Sequence, residues 1–181
     1  MIRRLMRAPV LAGLVLVLFL GLYNAAILGK ERLLARGDIM VLALAPVDPR
    51  SLMQGDYMIL DIADGRAMAR DAGSGDDNET RPDGRERTAI MAADENGLWS
   101  YRRLDQGDAL EAGEHRLTFR PQGRRPAKIA GGSWFFEEGQ AATYARARFA
   151  ELRVAPDGTA LITALLDADR NRLSAQRTDL E

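Results

Sequence analysis

The chain has 181 residues, with 25 basic and 26 acidic side chains, one histidine and no cysteine. That length suits one compact domain with a modest core. The composition excludes disulfides, a thiol nucleophile and a thiolate metal site, and a single histidine cannot build a multi-histidine zinc centre.

Arg3, Arg4 and Arg7 precede Pro9 to Gly29, a run of 21 uncharged residues rich in Leu and Val. At 1.5 Å per residue this run reaches about 30 Å, the thickness of a bilayer's hydrocarbon layer. It reads as a single-pass anchor over 9–29, with the bilayer as its partner and 1–8 on the cytoplasmic side by the positive-inside rule. Lys30, Arg32 and Arg36 on the far flank work against that orientation. A cleaved signal peptide with a processing region at Asn24-Ala25-Ala26 or Ala25-Ala26-Ile27 is the competing reading. The run is long for such a segment, and Asn24 fits poorly three residues before a cut. The expected location is the inner (cytoplasmic) membrane, with the C-terminal domain extracytoplasmic.

Residues 38–181 carry 19 basic and 25 acidic side chains, a net charge of −6. Without a basic stripe, this acidic balance excludes nucleic acid as an expected partner.

After the apolar run, Lys30 to Arg36 continue the helix and Gly37 stops it. Residues 38–45 (DIMVLALA) form a continuous apolar run, predicting a strand buried on both faces. A polar turn follows Pro46. In 55–62 (GDYMILDI), Tyr57, Ile59 and Asp61 alternate with Met58, Leu60 and Ile62, and the second set should face the core. Residues 64–87 are polar and glycine-rich, predicting a flexible surface loop.

Strands are predicted over 88–93, 98–104 and 115–120, separated by turns at Asp94-Glu95-Asn96-Gly97 and from Gly107 to Gly113. A further strand is predicted over 128–136, with a bulge or close backbone approach at Gly131-Gly132. Residues 140–148 read as a short helix, with strand as the alternative. Residues 151–155 and 159–166 form a hairpin around Pro156-Asp157-Gly158, where Pro fixes φ and Gly supplies a positive one. Residues 169–181 make a polar, frayed tail. The expected fold is mainly β (α+β): one transmembrane helix, then a β-rich domain over 38–168 built as an antiparallel sandwich or partly open barrel with one short helix.

The segment GDYMILDI resembles the signature of the GDYXXLXY family of membrane-anchored bacterial proteins, matching at Gly55, Asp56, Tyr57 and Leu60, with Ile62 in place of the final tyrosine. The resemblance extends to the N-terminal anchor, to PVDPRSL over 46–52, to the Trp134-Phe135-Phe136-Glu137-Glu138-Gly139 segment and to the closing hairpin. It implies the family's fold and brings no biochemical activity with it. The departure at Ile62 removes a tyrosine hydroxyl there, and an aliphatic side chain suits the apolar face.

No complete catalytic set stands in the sequence. The Gly55-Asp56 stretch also resembles the nucleophile region of signal peptidases, but Val47 occupies the serine's place. Ser51 as a substitute nucleophile lacks a lysine in a recognisable motif, with only Lys30 and Lys128 in the chain. Asp167, Asp169 and Asn171 open like a calcium loop, yet Arg172 and Thr178 stand where glycine and glutamate are needed. Glu137 and Glu138 point to opposite faces if extended, and no phosphate loop is present.

Neither cofactor nor metal is expected. The leading expectation is a non-enzymatic accessory or interaction module for another membrane component, such as a multi-pass membrane protein. Asp48, Arg50, Asp56, Tyr57 and Glu138 are its candidate surface. The alternatives are an envelope hydrolase of signal-peptidase-like β fold using Asp48, Ser51, Asp56 or Glu138, and a small-ligand or peptide-binding module.

Overall fold

The structure, a computed structural model, describes residues 7–45, 57–74, 85–123 and 125–174. It divides into two units, residues 1–36 and 37–181.

In the first unit, α1 (Arg7–Arg36) is one continuous helix of 30 residues, about 45 Å long at the standard rise. Its Ala12–Arg36 stretch is long and apolar enough to cross a membrane. Leu14, Val17 and Phe19 are each more than 60% exposed, a state that only a lipid environment makes favourable over such a length. Asn24 satisfies its amide within the helix, donating to the Leu20 carbonyl at 2.8 Å, as a polar side chain in hydrocarbon requires. The helix stops where the sequence predicts, just before Gly37.

The second unit contains β1 (Asp38–Ala43), β2 (Tyr57–Ile59), α2 (Gly65–Ala69), β3 (Arg87–Ala93), β4 (Leu98–Leu104) and β5 (Glu114–Gln122). It continues through β6 (Arg125–Ile129), β7 (Ser133–Phe135), α3 (Ala141–Tyr144), β8 (Phe149–Val154) and β9 (Ala160–Leu166). Seven strands form one sheet in the order β6-β5-β3-β4-β1-β8-β9, and β2 pairs with β7 in a separate ribbon. The β1–β4 pair is parallel; the other strand pairs among the described residues are antiparallel.

The sheet curls into a nearly closed barrel. Across its open seam, the Thr118 N–H of β5 donates to the Gly158 carbonyl in the β8–β9 turn at 2.8 Å. Gly158 is required there twice over: its φ is +91°, and a Cβ would lie 3.1 Å from the Thr118 nitrogen.

The core is aliphatic and methionine-rich, with Met40, Leu42, Met58, Met68, Met91, Leu117, Phe119, Leu152 and Leu165 almost fully buried. The predicted inward face of GDYMILDI holds: Met58, Leu60 and Ile62 are buried, while Tyr57 and Ile59 are exposed. The closing hairpin also lies where Pro156-Asp157-Gly158 predicts it.

Four local expectations are corrected. The 38–45 strand is not buried on both faces: Met40 and Leu42 point inward, whereas Ile39 is 49% exposed. The flexible loop predicted over 64–87 is instead ordered through its first part, as α2 followed by a wide turn over Arg70–Ser74. Met68 and Ala69 anchor that segment in the core. Tyr101 secures it, donating its backbone N–H to Asp64 and its hydroxyl to Asp71, each at 2.8 Å. Burial and the Asp71 carboxylate together push the Tyr101 phenol well above its ordinary range.

The single strand expected over 128–136 is two strands, β6 and β7, broken by the turn at Ala130 to Gly132. The tail is not frayed from 169, since Arg172 bridges to Leu166 and Leu173 is buried. The short helix expected over 140–148 is present but confined to Ala141–Tyr144.

Irregularities in the sheet have local causes. Pro121 sits at the break in register between β5 and β6, and Pro126 lies on the edge strand β6, the two places where a residue without an N–H is tolerated. In β9, Thr163 is the extra residue of a bulge opposite Glu151–Leu152. Its hydroxyl donates to the Glu151 carboxylate at 2.9 Å, and Arg172 donates to the same oxygen at 2.7 Å.

Burial pushes the Glu151 carboxyl up, but Arg172, Thr163 and Arg153 outweigh it and hold it below the usual glutamate range. A depressed folded value means that this stabilisation is present above the usual glutamate range and is lost as pH falls through the folded value. Glu151→Gln should therefore lower stability by about 1 kcal/mol at pH 7 and flatten the acid limb of the stability profile. Urea titrations from pH 7 down to pH 3 measure both effects.

Candidate functional site

The family-like signature and the tryptophan segment, far apart in the chain, meet in the β2–β7 ribbon. Tyr57 pairs with Phe135, Met58 with Trp134, and Ile59 with Ser133. The ladder continues where the Leu60 N–H donates to the Gly132 carbonyl at 3.0 Å. Because side chains alternate along a strand, the ribbon has two unlike faces.

The inner face is aromatic and packed. Trp134 lies against Tyr144 with ring centroids 6.1 Å apart, and Phe136 stacks on the same tyrosine at 5.3 Å. Here the short α3 has its purpose: it delivers Tyr144, 6% exposed, beneath the ribbon. The Trp134 indole nitrogen is buried with no hydrogen-bond partner among the described residues.

The outer face is apolar and open. Tyr57 is 39% exposed, Ile59 54% and Phe135 75%, and the Tyr57 and Phe135 rings meet at 5.8 Å. Beside this face a groove of about 610 Å³ runs between the ribbon and β6, with Tyr57, Ile59 and Asp61 on one wall and Arg125, Pro126 and Lys128 on the other. A large exposed aromatic on a two-stranded ribbon is an informative feature, since isolated exposed aliphatics are common and an aromatic cluster is not.

Of the five expected surface residues, Tyr57 is on this face. Glu138 is exposed in the turn that follows β7, closed by the Gln140 N–H donating to the Glu137 carbonyl, and no described contact joins it to Tyr57. Asp48, Arg50 and Asp56 lie outside the described residues, as does Ser51. Sequence reasoning missed Ile59 and Phe135. Ile59 shares the face of Tyr57 by simple alternation, but Phe135 joins them only through a strand pairing that local pattern does not reveal.

The lone histidine and the segment that opens like a calcium loop have structural partners of their own. His115 sets its two ring nitrogens 2.8 Å from the Arg116 carbonyl and 3.2 Å from the Asp38 carboxylate, and packs edge-on against Trp99. Among the described residues it has no serine partner. Asp167 accepts the backbone N–H groups of Asp169 and Asn171, which makes it a turn former. Among the described residues, no cluster of three or more histidine and acidic side chains has the geometry to hold a metal.

These features define a class: a membrane-anchored protein with a nearly closed β-barrel domain bearing an aromatic ribbon. Within that class the chain belongs to the GDYXXLXY protein family, whose pattern it matches over residues 19–165. No curated protein and no solved structure matches the chain.

The turn that leads into the ribbon carries strain. Ala130 has φ +47° and Gly131 φ +85°, the pair of positive values that a tight primed turn demands. A Cβ in the left-handed region costs about 1–2 kcal/mol. Ala130→Gly should accordingly raise stability by about 1 kcal/mol, and thermal melts of the two proteins compare it directly.

Proposed function

We propose that the protein is a membrane-anchored interaction module whose outer ribbon face, Tyr57, Ile59 and Phe135, docks on another membrane component. The carrying observation is that the family signature and the tryptophan segment together present an exposed aromatic pair, Tyr57 and Phe135, while the signature's alternate residues build the core. Side chains of this kind supply most binding energy in protein interfaces, where aromatic anchors are enriched. A multi-pass membrane protein is the partner this reading favours, because a tethered domain searches only the surface of its own bilayer. The positive-inside balance supports an N-terminus in the cytoplasm and a domain on the extracytoplasmic side of the inner membrane. The reading is non-enzymatic, resting on a signature spent on a core face and a docking face.

Two measurements test it. A photo-crosslinking residue at position 59, in the full-length protein in its native membranes, should trap one membrane protein, and Tyr57→Ser with Phe135→Ser should abolish the adduct. The double variant loses the Tyr57–Phe135 ring contact across the ribbon, so it should be less stable by about 1 kcal/mol and remain folded, which thermal melts check. Position 59 giving no protein adduct would sink the proposal. For orientation, a reporter active only in the cytoplasm, fused after Glu181, should be silent; its activity would reverse the assignment.

A further inference from the structure

The open seam of the barrel holds a second cleft of about 270 Å³, which shares Lys128 with the groove beside the ribbon and is lined by Glu86, Thr118, Arg120, Lys128, Gly131 and Thr159 among others. Its charges are arranged in a way that folding alone does not favour. Arg120 on β5 is directly opposite Lys128 on β6, and like charges in that relation destabilise a sheet. Arg120 leans away to Glu86 at 3.1 Å, with both side chains more than half exposed, a contact of little strength. Lys128 has no acidic partner among the described residues.

The lysine is nevertheless held in place. A Cβ on Gly132 would lie 2.6 Å from the Lys128 Cγ and 2.9 Å from its Cε, so the bare glycine lets the aliphatic stem lie flat against the turn. Thr118 is two residues from Arg120 on the same strand and shares its face, and Thr159 enters from the β8–β9 turn. A domain with a net charge of −6 thus opposes two cations across one strand pair and brings two threonines to the same cleft, with Glu86 the one carboxylate lining it among the described residues.

We infer that this cleft binds a phosphate group. Lys128 anchors it, Arg120 exchanges Glu86 for it, and the Thr118 and Thr159 hydroxyls complete the donor set. A phosphate offers enough acceptor oxygens to engage an ammonium, a guanidinium fork and two hydroxyls together, which a carboxylate's two oxygens do less well. The bound anion also removes the Arg120–Lys128 repulsion. A free phosphate and a phospholipid headgroup present the same chemistry.

The chain has only two lysines, so amine acylation read by mass spectrometry reports on Lys128 with Lys30 as internal reference. The full-length protein in maltoside micelles is labelled in sodium chloride, in inorganic phosphate at matched ionic strength, and in mixed micelles containing phosphatidylglycerol. Phosphate should slow acylation of Lys128 and leave Lys30 unchanged. Arg120→Gln should raise the protecting phosphate concentration about tenfold, the usual loss for one charge-assisted hydrogen bond, whereas Glu86→Gln should lower it. Protection by phosphatidylglycerol alone would support the site and assign the phosphate to a lipid. Equal Lys128 labelling in all three media, for both the parent and Glu86→Gln, would overturn the inference, as would protection that Arg120→Gln leaves unaltered.

Discussion

The structure depends on the placement of β1 inside the sheet. The first strand after the apolar helix lies between β4, its parallel neighbour, and β8, its antiparallel one. Parallel pairing requires a crossover, and the chain supplies it through β2, α2 and β3. Pairing with β8 joins residues 38–43 to residues 149–154, more than a hundred positions away. The barrel's central ladder is therefore incomplete until the C-terminal hairpin has been made. Such long-range pairing is slow, because loop closure precedes any gain from contact. Arg153 strengthens the same junction by donating to the Gly37 carbonyl at 2.8 Å.

How much of this is legible in sequence varies with how local its cause is. The apolar helix follows from length and lack of charge, the two faces of GDYMILDI from alternation, and the closing hairpin from its Pro-Asp-Gly turn. Each of these is decided within one contiguous stretch of sequence. The helix α2 was hidden because its stretch is polar except for Met68 and small alanines, and its order comes from elsewhere. Gly65 lets it approach β6, where a Cβ would meet the Pro126 Cβ at 3.0 Å, and two carboxylates tie the segment to Tyr101. The ordered start of the tail was hidden for the same reason, since Arg172 finds its partner on β8.

The candidate site shows the same division. Tyr57 is readable from its own strand, and its outward direction follows from that of Met58 and Leu60. Phe135 and the packed Trp134–Tyr144–Phe136 aromatics beneath it depend on β2 pairing with β7. That pairing explains why the signature and the tryptophan segment occur together: one strand without the other is a three-residue fragment with no partner. The Arg120–Lys128 opposition was equally invisible, because the two residues look unremarkable in sequence and become a pair only in the sheet.

The edge strand β6 bears on how copies of the protein share a membrane. Tethering confines them to a plane, where local concentrations are high. An unprotected strand edge would then recruit its twin from a neighbour and seed two-dimensional aggregates. In β6 the edge is short and interrupted by Pro126, with Lys128 beside it. Crowding in that plane thus meets, at β6, an edge where Pro126 and Lys128 disfavour extension of the sheet by a neighbour.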